Sequence, residues 1–202
     1  MTRVVLVRHG ETEWNRVERF RGHADVALNE TGIHQAEATA ARVAAQWRPA
    51  IVYSSPLSRA RRTAEAIAAR SSVSVRIHAG LSDIDYGAWQ GLSPDEVRQR
   101  WPEQLRDWYQ TPQRATIPGG ESLDELRMRC ASALRQIVAD HPQDTVVMVG
   151  HTVINRVLLL HVLGLGNDRF WHLRQDTCAI NVIEADGADF TVVSINDTCH
   201  LG

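Results

Sequence analysis

The sequence predicts an α/β fold, a three-layer sandwich with a mostly parallel central sheet flanked by helices. Three observations carry this prediction. Short apolar runs recur at residues 4–7, 50–53 and 145–149. Segments with apolar residues at helical spacing alternate with them. Near the end, two strand-like stretches flank Asp186-Gly187, a dipeptide that reads as a hairpin turn. With 202 residues, 44% of them hydrophobic, the chain can bury a sizeable core. No repeat, linker or low-complexity tract interrupts it, so residues 1–202 are read as one domain.

The elements follow in order. Residues 12–19 begin a short helix or turn after the first strand. Residues 32–47 form an amphipathic helix with Ile33, Ala36, Ala40, Val43, Ala44 and Trp47 inward. After the strand at 50–53 comes a helix over 56–70, with Ser55 as N-cap and Pro56 in the first helical position. Leu57, Ala60, Ala64, Ile67 and Ala68 are its buried stripe. Residues 73–77 alternate and contain β-branched side chains, which predicts a strand. Ser93-Pro94-Asp95-Glu96 is a capping box. It opens a lid-like helical excursion over 92–119 that holds Trp101, Trp108 and Tyr109. Ser122-Leu123-Asp124-Glu125 is a second capping box, opening a long helix with Leu123, Leu126, Cys130, Ala133, Leu134 and Ile137 inward. A strand at 145–149, a helix at 152–163 and strands at 179–184 and 190–195 complete the chain.

A net charge of −2 gives no electrostatic case for nucleic acid or an anionic membrane. No apolar run reaches membrane-spanning length. No secretory h-region precedes the first strand, and Cys130, Cys178 and Cys199 are odd in number and widely spaced. A reducing cytoplasm is the expected compartment, and Cys130 is read as a small buried hydrophobe.

Two of the predicted strands end in histidine. Residues 6–15 read Leu-Val-Arg-His-Gly-Glu-Thr-Glu-Trp-Asn, and His151 follows the run ending in Gly150. The carboxyl edge of a parallel sheet is where ligands bind. Arg8 stands beside His9. Imidazole can attack phosphorus and guanidinium forks can hold phosphate oxygens, so this set suits phosphoryl transfer. His9 requires an unprotonated attacking nitrogen, and so a fixed acceptor for the proton on its other nitrogen. The histidines and aspartates lack a tight metal-ligand spacing, so neither a metal nor another cofactor is implied.

The block Arg8-His9-Gly10-Glu11-Thr12 with Asn15 resembles the signature of the histidine phosphatase superfamily, the phosphoglycerate-mutase-like proteins. The resemblance continues at residues 20–28, at Ser54-Ser55-Pro56-Leu57-Ser58-Arg59-Ala60, at residues 81–91 and at Gly150-His151-Thr152, in the family's order. It implies a cofactor-independent phosphatase acting on a small phosphorylated metabolite, with His9 as the nucleophile that becomes phosphorylated. Arg8, Arg59 and a protonated His151 would hold the transferring oxygens. Asn15, Gly10, Thr12, Arg21, Gly22 and Thr152 fall at phosphate-binding positions. Gly10 would permit close backbone approach to the anion.

In the family, Leu-x-Glu precedes Gly-x-Trp-Glu-Gly. Here the segment reads Leu81-Ser82-Asp83-Ile84-Asp85-Tyr86-Gly87-Ala88-Trp89-Gln90-Gly91. Asp83 occupies the glutamate position and would protonate the leaving oxygen, then take a proton from water. Aspartate reaches about 1.5 Å less far than glutamate, and Asp85 competes for the role. Two other readings stand beside the phosphatase. One is a 2,3-bisphosphoglycerate-dependent phosphoglycerate mutase, disfavoured because the Trp-Arg-Leu-Asn-Glu-Arg-like run of dimeric mutases is missing. The other is a catalytically impaired member that binds phosphorylated ligands or a protein. Among the remaining histidines, His34, His78 and His141 read as surface or loop positions and His161 as packed. His23 and His172 are read as structural in preference to lining the pocket mouth, and His200 lies on the tail. A homodimer through the tail hairpin is conceivable.

Overall fold

The computed structural model describes residues 1–202. Six strands form one sheet: β1 (Thr2–Arg8), β2 (Ile51–Ser54), β3 (Val75–Ile77), β4 (Thr145–Gly150), β5 (Ile180–Asp186) and β6 (Asp189–Asp197). Their order is β3-β2-β4-β1-β5-β6. The first four are parallel, and β5 joins β1 antiparallel. The β5–β6 hairpin turns through Gly187 at φ +62°, a backbone region that glycine enters without steric cost.

Seven helices accompany the sheet: α1 (Glu13–Arg16), α2 (Glu30–Gln46), α3 (Ser58–Ser71), α4 (Pro94–Arg100), α5 (Pro102–Gln110), α6 (Leu123–Asp140) and α7 (Thr152–Val162). Period-two alternation along β1 assigns its side chains to two cores. Val4 and Leu6 join Met148 of β4, Leu134 of α6, Leu158 of α7 and Trp108 of α5 on one face. Val5 and Val7 join Val147, with Ala40 and Val43 of α2 and Ala64 and Ile67 of α3, on the other. Both faces of β1 are thus covered, and each fully buried valine or leucine contributes about 1.5–3 kcal/mol. The three-layer α/β sandwich with a mostly parallel sheet is the observed fold.

Both capping boxes form. Ser93 caps α4 with Glu96 reaching back, and Ser122 caps α6 with Glu125 reaching back at 2.9 Å. Two helix starts differ from expectation. α2 begins at Glu30 because the Asn29 side chain accepts the Gly32 N–H at 2.8 Å. α3 begins at Ser58, and Ser55 is not its N-cap. The Ser55 hydroxyl lies instead 2.8 Å from His151 Nε2, so it is engaged across the sheet rather than along the helix.

The segment between β3 and α6 folds as two single 3₁₀ turns, then α4 and α5, then a third 3₁₀ turn at Pro112–Arg114. Trp89 and Trp108 are fully buried and meet edge to face at 6.3 Å. Trp108 also packs on Phe170 at 5.4 Å. These aromatics tie the excursion to the sheet edge at which β1 and β4 end.

Candidate active site

β1 and β4 are parallel neighbours with Arg8 opposite Gly150. Their ends place His9 and His151 side by side, with ring centroids 5.1 Å apart. The His9 N–H donates to the Gly150 carbonyl at 3.1 Å and fixes the backbone there. The His9 side chain is fully buried. Its Nδ1 lies 2.6 Å from the Gly10 carbonyl, which can only accept, so Nδ1 carries the proton. Nε2 then presents a free lone pair and has no partner. Burial, followed by Arg59, Arg8 and Arg21, holds the imidazole far below its ordinary pKa. The ring is neutral at neutral pH, the form a nucleophile needs.

His151 is fully buried as well. Its Nε2 shares a hydrogen bond with Ser55 Oγ at 2.8 Å, and that oxygen also accepts the Leu57 N–H. The other nitrogen, Nδ1, lies 3.8 Å from Asp83 Oδ2. Burial, then Arg59 and His9, push its pKa well down. Before an anion arrives the ring is therefore held toward its neutral form, between the arginines and Asp83.

Three arginines converge. Arg8 Nη1 is anchored on the Gln175 carbonyl at 2.6 Å, and its Nε is free. Burial, with Arg21 alongside, lowers it to about 9, still charged at neutral pH. Arg59, on the first turn of α3, donates to the carbonyls of Ala24 and Gly22 at 2.7 and 2.8 Å. Its Nη2 also lies 3.4 Å from Asp83 Oδ2. Arg21 donates to the Trp14 carbonyl at 3.1 Å and keeps a buried, unpartnered Nε.

Asp83 is 3% exposed and faces this cluster, with its Oδ1 held by the Ile84 N–H at 3.0 Å. His23, at the surface, bonds the Asp83 carbonyl through Nε2 at 2.9 Å. Asp85 points elsewhere. Its Oδ1 accepts the Gly87 N–H at 2.8 Å, and it lines a different depression with Glu121 and Arg129.

A cavity of about 360 Å³ opens in front of the cluster. Arg8, Arg21, Asn15, Asp83 and Thr152 line it; the fully buried His9, His151 and Arg59 lie behind them. Phe20, Tyr86, Trp108, Tyr109, Phe170 and Trp171 form an aromatic wall, which also carries Glu18, Arg19 and Arg156. Most of the chain's buried polar atoms without a partner cluster here: Nε of Arg8, Arg21, Arg59 and Arg156, His9 Nε2, His151 Nδ1 and Thr152 Oγ1. Buried donors are normally satisfied, and an anion placed among these would satisfy them together.

Three expected phosphate contacts have other work. Gly10 does give a close backbone approach, but to α2: an added Cβ would stand 2.3 Å from the Gly32 carbonyl oxygen. Its N–H is taken by Thr63 Oγ1 at 3.2 Å. Thr12 is buried, its hydroxyl donating to Asn15 Oδ1 at 2.9 Å. Gly22 is buried and offers its carbonyl to Arg59. Asn15 both lines the cavity and caps α1. His172 is exposed and outside the lining, and His200 bonds Thr39 on α2 at 2.9 Å. The Gly10 and Gln175 carbonyls and the unpaired Arg156 were not foreseen. The carbonyls carry no residue-type signal, and Arg156 gains its setting only from the distant Phe170 and Trp171.

The chain belongs to the histidine phosphatase superfamily (branch 1), whose family model matches residues 4–198. It is 35% identical over 202 residues to phosphoserine phosphatase 1 of Hydrogenobacter thermophilus, covering 100% of this chain and 95% of that one. It is 34% identical over 203 residues to the metal-independent phosphoserine phosphatase of Arabidopsis thaliana, with 100% and 84% covered. A crystal structure of a phosphoserine phosphatase mutant from Entamoeba histolytica in complex with phosphoserine superposes with a TM-score of 0.90 at 26% identity, over 100% of both chains. The chain is a small-molecule phosphomonoesterase.

Proposed function

We propose that this phosphomonoesterase works through a phosphohistidine at His9, without a metal ion, on a small anionic metabolite of which phosphoserine is the first candidate. The observation that carries the reading is the convergence of unpartnered donors around the bare His9 Nε2. In the first step Nε2 attacks phosphorus, the P–O bond to the leaving group breaks, and Asp83 hands its proton to the departing oxygen. The Gly10 carbonyl steadies the Nδ1–H as the ring becomes cationic. Arg8, Arg21 and Arg59, with the His151 donor, take up the charge spread over the equatorial oxygens. In the second step water attacks phosphorus, the P–N bond breaks, and Asp83 accepts the water proton.

The aromatic wall, to which α5 contributes Trp108 and Tyr109, supports residues 92–119 as a lid over a single domain. The three free cysteines support a reducing cytoplasm. The outer strand β6, with one backbone edge unpaired, supports edge-to-edge pairing of two copies.

The test is phosphate release from p-nitrophenyl phosphate and phosphoserine with EDTA present, wild type beside His9→Ala. Mass spectrometry of acid-labile phosphopeptides follows on rapid quench. Activity that survives EDTA, vanishes in the variant and labels the His9 peptide is the expected result. Label on another residue, or turnover restored only by added metal, overturns the mechanism. Interconversion of phosphoglycerates on adding 2,3-bisphosphoglycerate would establish the mutase reading instead.

A further inference from the structure

The geometry points to Arg156 as the reader of a substrate carboxylate: with Thr152 one turn before it, it forms a second anion station apart from the phosphoryl site at His9. This rests on the phosphatase reading above and narrows its substrate class to carboxylated phosphomonoesters.

Residues four apart on a helix share a face, so Thr152 and Arg156 of α7 both look into the cavity, and both line it. The Arg156 guanidinium carbon lies 5.1 Å from the Phe170 ring centroid and 4.9 Å from that of Trp171. Two rings therefore confine the cation and restrict its orientation. No acceptor answers it. Its Nε is buried without a partner, and the Thr152 hydroxyl is likewise unsatisfied. Arg129 shows the contrast, clamped by Glu121 at 2.6 Å. A largely desolvated guanidinium without an acceptor is costly, so its binding capacity is free for a ligand.

The donor set selects the ligand's chemistry. The phosphoryl end already has Arg8, Arg21 and Arg59. The Arg156 end has one planar fork and one hydroxyl, which matches a planar carboxylate taken in bidentate fashion. Arg8 and Arg156 line the same cavity, so one small molecule can touch both stations. A cavity of about 360 Å³ also restricts the ligand to metabolite size.

The experiment compares ester pairs that differ at the carboxylate: phosphoserine with phosphoethanolamine, and 3-phosphoglycerate with glycerol 3-phosphate. For the wild type, kcat/KM is expected to favour the carboxylated member by about 10- to 100-fold, the value of a charge-assisted hydrogen-bond pair. In Arg156→Gln that ratio should fall to within about threefold of unity, with Arg156→Lys between the two. A wild type that does not discriminate, or variants that keep the full ratio, overturns the assignment. Should the glutamine variant fail to fold, the wild-type ratios and the lysine variant still decide. If both members of each pair turn over in a His9-dependent way without discrimination, Arg156 alone is misassigned. If no ester turns over, the phosphatase reading fails first and takes this inference with it.

Discussion

Replacing Asp83 by asparagine separates proton transfer from the other tasks of this side chain. The amide retains volume and an oxygen for the Ile84 N–H, held at 3.0 Å in the wild type. It removes the charge that faces Arg59 at 3.4 Å and His151 at 3.8 Å. Arg59 is not stranded, because the Gly22 and Ala24 carbonyls still hold its terminal nitrogens at 2.8 and 2.7 Å. The stability loss is therefore well below the ~3–5 kcal/mol of a buried pair broken outright. About 1–2 kcal/mol is expected, the scale of one hydrogen bond to a charged group. The effect on rate depends on the leaving group. An alkoxide needs a proton as it departs and nitrophenolate does not. Loss of the acid should slow phosphoenzyme formation from phosphoserine by about 10²- to 10⁴-fold, and from p-nitrophenyl phosphate by no more than about tenfold. Single-turnover rapid quench reads this step directly, before water attack, which also uses Asp83. Equal losses for the two esters would remove Asp83 from the acid role.

Three further outcomes follow from the same geometry. Gly10→Ala sets a Cβ 2.3 Å from the Gly32 oxygen, backbone against backbone; a loss of about 3 kcal/mol is expected, and an unchanged urea midpoint would refute it. His9 and His151 both have pKa values depressed by burial and neighbouring arginines. Unfolded, they bind protons below about pH 6.5 while the folded forms do not, so each removes about 1.4 kcal/mol of stability per pH unit on acidification from there; a urea midpoint that holds or rises from pH 7 to pH 5 contradicts this. Burial pushes the thiols of Cys130 and Cys178 up to about 12, whereas Cys199 is exposed. A thiol reagent should titrate one cysteine in the native chain and three in denaturant, and native reaction of Cys130 or Cys178 would refute their burial.

The sequence made legible what depends on local chemistry. Strands β1 and β4 were readable because apolar runs end in Arg8-His9 and Gly150-His151, and the caps of α4 and α6 because Ser93 and Ser122 each stand three residues before glutamate. Asp83 and Asp85 were equally acidic on paper; only the fold turns one toward Arg59 and the other toward its own Gly87 N–H. Ser55 looked like a helix cap because capping is local, whereas its real partner, His151, is brought in by the sheet. Gly10 was read as room for an anion, yet its missing side chain makes room for α2.

The position of β1 in the sheet bears on how the protein is made. The strand that carries Arg8 and leads into His9 precedes both of its neighbours in the chain: these are β4 and β5, with Arg3 opposite Thr145 on one side and Glu184 on the other. An apolar strand with both edges open must wait until residues 145–185 have been made, a state prone to aggregation that chaperones protect. The same topology means that a nascent chain stopped before residue 180 has every side chain of the phosphoryl site and no completed sheet to hold them. Assembly of the site therefore waits on β5, which follows all of the site's side chains in the chain.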